Sequence, residues 1–123
     1  MNLATPGANT VCDAFVDSLD GGSIMFHTSG DAEVAKCTMN TPAFGASASG
    51  VATMVTSPDV EDANTTAGTI AHAHFLNSGD TIQSQMTCGT GAEEFVFSSL
   101  VFANGETLKI TSLTVTWTPT AMT

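Results

Sequence analysis

Arginine and tyrosine are absent from this 123-residue chain, and positive charge is nearly so: Lys36 and Lys109 face twelve carboxylates, for a formal charge of −10. With so little to neutralise phosphates, no binding to nucleic acid is expected. The same sign argument leaves anionic membrane surfaces aside. No apolar run approaches the roughly 20 residues that span a bilayer. Met1 to Pro6 has no basic region leading into an apolar stretch, so no secretory signal is read there and synthesis in the cytoplasm is expected. Cysteine is scarce as well. Cys12, Cys37 and Cys88 are odd in number and widely spaced, which suits buried reduced thiols better than a disulfide framework.

What fills the chain instead is Thr, Ala, Ser and Gly, with charged residues at only 11%. That composition favours strands and tight contacts over long helices, and the length allows one core and one domain. Met1 to Asn9 reads as a flexible arm, residues 10–118 as a single domain, and residues 119–123 as a frayed tail. Helical spacing occurs once, over residues 10–20. There Val11, Phe15 and Leu19 share a face, Thr10 and Asp13 make a capping pair, and Gly21-Gly22 stops the helix.

From Ser23 the pattern has period two. Ser23 to Thr28 and Val34 to Met39 read as a hairpin around Ser29-Gly30-Asp31. Residues 42–46 form a small-residue loop in which Phe44 is the one large anchor, and Gly50 to Val55 is a third strand. Asp59 to Asn64 reads as an acidic loop, Thr69 to Leu76 as a fourth strand and Thr81 to Cys88 as a fifth, after the Asn77 to Asp80 turn. Glu94 to Phe97 gives a short sixth strand, and Leu100 to Phe102 a short apolar run before the Asn104-Gly105 turn. In Glu106 to Thr118 the large apolar side chains switch parity near Thr111-Ser112, which predicts a bulge or a passage between sheets. The expected fold is all-β and mainly antiparallel, a two-sheet β-sandwich or jelly roll with one short N-terminal helix.

The sharpest chemical candidate is His72-x-His74, because alternate strand residues project both imidazoles from one face. Gly68 to His74 resembles the first metal motif of cupins. The Glu that should follow is missing, and His27 is the only other histidine. A pair of histidines on a sheet face, holding no metal, is therefore the expectation. Asp59-x-Glu61-Asp62-x-Asn64 has the oxygens of a Ca²⁺ loop but lacks its central Gly and distal Glu, so a solvated loop is expected. Glu93-Glu94 reads as exposed charge, and without Tyr, and with Trp117 as the single Trp, little is available for sugar stacking. No nucleophile elbow, phosphate loop or dinucleotide fingerprint is present, and Gly89-Thr90-Gly91 is a turn. No catalytic residue and no cofactor is expected.

Four stretches carry a likeness beyond composition: Asp13-Ala14 through Ile24-Met25-Phe26, Pro42 through Ala52, Ala67 through Asp80, and, best, Phe95 through Thr116. Together they resemble the small virion structural proteins of tailed bacteriophages that serve as head decoration, or cement, proteins. The chain departs from that pattern at His72, where a large aromatic is expected, and in having no Arg. The resemblance implies many copies on the outside of an assembled head, bound to the major capsid protein and to each other as a homotrimer. It also implies contacts through strand edges and the N-terminal segment, with Met1, Asn2, Leu3, Ala4, Thr5 and Pro6 as interface candidates. Two alternatives stand beside it. One is a neck, head-fibre or tail component of the same virion; the other is a metal-binding cupin-like β-barrel enzyme using His72 and His74.

Overall fold

A computed structural model describes residues 1–91 and 95–122. The chain opens with helix α1 (Thr5–Asp17), followed by β1 (Ser23–His27), β2 (Glu33–Thr38), β3 (Val51–Thr53), β4 (Val60–Asp62) and β5 (Gly68–Thr69). Next come β6 (His72–Leu76), β7 (Ile82–Gly89), β8 (Phe95–Val96), β9 (Val101–Phe102), β10 (Leu108–Ile110) and β11 (Thr114–Thr116). The protein is mostly β, dominated by antiparallel pairing, and includes a curled half-barrel.

Five strands form the main sheet in the order β2-β1-β6-β7-β8, and only the β7–β8 contact is parallel. The expected hairpin is present, with Ile24 opposite Cys37 and Phe26 opposite Ala35. Because side chains alternate across a strand, Ile24, Phe26, Cys37, Ala73, Phe75 and Met86 all enter the core. Phe26 is fully enclosed and meets Phe95 and Phe97 edge-on, at ring-centroid distances of 5.2 Å and 5.6 Å. Phe44 is the anchor the sequence suggested: it is buried and packs edge-on against Phe75.

The remaining strands form three separate pairs, β10 with β4, β11 with β3, and β5 with β9. The parity switch at Thr111-Ser112 is thus a passage between sheets, because β10 and β11 have different partners. The fourth expected strand is broken in two. Ile70 turns into the core between β5 and β6, and its N–H donates to the Leu100 carbonyl at 2.8 Å.

The acidic stretch is not a loop throughout. Val60 is fully buried, which draws Val60–Asp62 into pairing with β10. The Asp62 carboxylate then accepts the Lys36 N–H at 2.9 Å on the edge of β2. A second bond, from Thr66 N–H to the Val34 carbonyl at 2.8 Å, covers the same edge and blunts it against pairing with other chains.

The helix also differs from its expected form. It begins at Thr5, with Ala4 as N-cap and Pro6 in the first turn, so residues 5–9 of the expected arm are helical. Pro is favoured there because its missing N–H has no intrahelical partner to lose. The proposed capping pair does other work: Thr10 Oγ1 donates to the Pro6 carbonyl, and Asp13 accepts the Ser47 N–H at 2.8 Å. The buried face is Ala8, Cys12 and Val16, one position round from the expected one, since small side chains let the helix lie close to β3. Leu19 is buried as expected.

The C-terminal tail is fastened rather than frayed as far as Thr120. Trp117 N–H donates to the Gly50 carbonyl at 2.7 Å, and Thr120 N–H to the Leu3 carbonyl at 2.7 Å. All three cysteines are buried. Glu93, Glu94 and Thr123 lie outside the described residues. No helix among the described residues is long and apolar enough to cross a membrane.

Candidate functional site

The outward face of the main sheet carries the chemistry. Met25 and His27 alternate with the core residues of β1, and His72 and His74 do so on β6, with His27 directly opposite His72 and Met25 opposite His74. The His-x-His pair therefore shares a face, as the spacing predicted, with ring centroids 5.2 Å apart. His27 completes a triangle. Its ring stacks on His72 at 5.3 Å and 20°, and lies 4.9 Å from His74 at 54°.

Each outer ring has a polar partner. His72 Nε2 lies 3.0 Å from Asp31 Oδ1. Asp31 sits in the β1–β2 turn with φ 65, a left-handed conformation that a short polar side chain tolerates. His74 Nε2 lies 3.1 Å from Oε1 of Gln85, its register partner on β7. His27 is different: it is buried, and its Nδ1 has no hydrogen-bond partner. Burial pushes its pKa below the ordinary imidazole value, His74 and His72 push it further, and Asp31 and Glu33 pull it back.

Beside the rings a shallow concavity of about 590 Å³ is lined by Met25, His27, Lys36, His74, Ile82 and Gln85. Lys36 reaches across it to Asp80 at 3.1 Å. Among the described residues, no set of three or more His, Cys, Asp or Glu side chains is arranged to hold a metal ion. Of the Ca²⁺-type oxygens, Asp59 pairs with Lys109 at 3.3 Å and Asp62 is committed to the Lys36 and Asn64 N–H groups.

The expected contact segment lies elsewhere. Met1, Asn2, Thr5 and Pro6 are exposed, while Leu3 and Ala4 are half-buried. The Leu3 to Thr120 bond brings this segment beside the C-terminal tail. A second set of apolar side chains, Val96 and Val101, lines a groove of about 350 Å³ with Phe97, Phe102 and Leu108.

Comparisons with family models, with curated proteins and with solved structures found no match. The site is therefore read from its own residues. His27 is the member that sequence reasoning missed. Its period-two position in Ser23 to Thr28 put it on the face opposite Phe26, but only the pairing of β1 with β6 places it against His72 and His74.

Proposed function

We propose that this protein is a structural component of a tailed-bacteriophage virion, a decoration protein that binds the outer surface of the assembled head and bridges neighbouring capsomers. The observation that carries the reading is a set of large apolar side chains left outside the core. Val101 is 66% exposed, Val96 60%, Ile82 57%, Met122 56% and Trp117 51%. Such side chains gain free energy when a partner removes them from water, and aromatic and Met anchors are enriched where proteins meet.

A charge of −10 directs that partner toward a basic surface. A ligand that binds only the assembled lattice shifts the equilibrium toward it, so reinforcement needs no reaction and no active site. In the same reading the three strand pairs face the five-stranded sheet in the manner of a sandwich or jelly roll. The bound form is a homotrimer on a local symmetry axis of the major capsid protein lattice. Met1 to Pro6, beside Trp117 and the tail, is the contact segment.

Quantitative mass spectrometry of purified virions tests this. Copies on the order of hundreds per particle fit a shell protein, and about a dozen place the chain at the neck, in a fibre or in the tail. A chain missing from virions overturns both.

A further inference from the structure

We propose that His27, packed against His72 and His74, is a proton-operated latch on the β1–β2 turn, held shut while its ring is neutral and released when it takes up a proton. The inference stands on the histidine geometry and does not depend on the role proposed above.

The turn is closed by few contacts. Asp31 bonds His72 Nε2 at 3.0 Å through its carboxylate, and its N–H donates to the Thr28 carbonyl at 3.0 Å. Thr28 N–H donates to the Ala32 carbonyl at 2.9 Å, and the His27 carbonyl accepts Ala71 N–H at 2.8 Å. The β1–β2 register shifts between Phe26 and His27. The ladder can therefore open from His27 onward without moving Ile24 or Phe26, which are fixed in the core.

The groups around the rings decide where protons go. From the turn comes Asp31, from β2 come Glu33 and Lys36, and from the β6–β7 turn comes Asp80, already paired with Lys36. From β6 come His72 and His74, and from β7 the uncharged Gln85. His72 contacts Asp31 and His74 contacts Gln85. His27 Nδ1 has no hydrogen-bond partner, and the centroids of the two neighbouring rings lie 5.3 Å and 4.9 Å from its own. A positive charge on this enclosed ring raises the energy of the closed turn. Opening hydrates His27.

The sign follows from linkage. Burial and the two neighbouring rings make the closed His27 harder to protonate than the open one, so proton uptake favours the open form as pH falls below about 6.5. Between about pH 7.5 and 5.5 the open-to-closed ratio therefore rises, up to a ceiling of about tenfold that is reached when the closed ring takes up no proton at all.

Amide hydrogen exchange followed by NMR, corrected for intrinsic rates, reads that ratio. Protection at Thr28 and Asp31 should fall over this range, by up to about tenfold, while Phe26 is unchanged, and His27→Phe should remove the pH dependence. Constant protection in the wild type, or an equal fall in His27→Phe, overturns the latch. If His27→Phe does not fold, His74→Gln, at a half-buried position, decides. A smaller fall than in the wild type supports the proposal, and an identical fall overturns it.

Discussion

Replacing Gly50 with alanine adds one methyl group where the loop after Phe44 meets the end of the chain. Gly50 has φ 77, and a Cβ there would overlap the Trp117 carbonyl oxygen and crowd Pro119 Cδ at 3.2 Å. The neighbour is backbone, so it cannot swing aside as a side chain tip would. Left-handed backbone costs a non-glycine residue about 1–2 kcal/mol. Displacing Trp117 also gives up its 2.7 Å bond to the Gly50 carbonyl, worth about 1 kcal/mol. A less flexible unfolded chain returns about 0.5 kcal/mol. The net loss is about 1.5–2.5 kcal/mol, which lowers the urea midpoint by about 0.5–2.5 M for a domain of this size. Unfolding followed by far-ultraviolet circular dichroism measures it, and the emission of Trp117, the single Trp, reports the same corner locally. Gly79→Ala is the control. Its Cβ would lie 3.4 Å from Asn77 Oδ1 with no left-handed φ, so its effect should stay within about 0.5 kcal/mol. Equal midpoints for the two variants would refute the claim that Gly50 is pinned against Trp117.

Two further outcomes follow from single side chains. Asp62→Ala removes the acceptor of the part-buried Lys36 N–H and of the exposed Asn64 N–H, each bonded at 2.9 Å. It should cost about 1–2 kcal/mol and raise light scattering at high concentration, because it uncovers the edge of β2; a midpoint and a scattering trace like the wild type's would contradict this. Burial, then the Asp62 carboxylate, pushes the Cys37 thiol up to about 12. An unfolded chain ionises this group near pH 9 while the folded one keeps its proton, so stability should decline between pH 9 and about 12. Cys37→Ala should flatten that decline relative to the wild type, and matching alkaline profiles would show that the thiol is not its source.

Period two between Ser23 and Met39 fixed the hairpin and its inward face, because alternation and burial are the same fact in a half-buried strand. The parity change at Thr111-Ser112 announced a change of sheet for a similar reason. Val60–Asp62 stayed hidden because charge on either side of one valine resembles a loop, and only pairing with β10 and the edge of β2 makes it a strand. The helix start was obscured because Ala4 provides no side-chain cap. Two of the three histidines were legible, since His72 and His74 are neighbours on one strand. His27 was not, because the partner of β1 in the sheet is set by the core packing of Phe26 and Phe75 rather than by any local signal. Strand edges and exposed apolar groups, on which the proposed role depends, become visible only after the core has claimed its share of the apolar residues.

The bond between the Leu3 carbonyl and the Thr120 N–H makes the backbone nearly a closed ring. Cargo fused to either terminus would leave the body at the same place and in similar surroundings. A short flexible linker could join the ends and let new ones be cut at an exposed turn such as Asn77 to Asp80, with the sheet order unchanged.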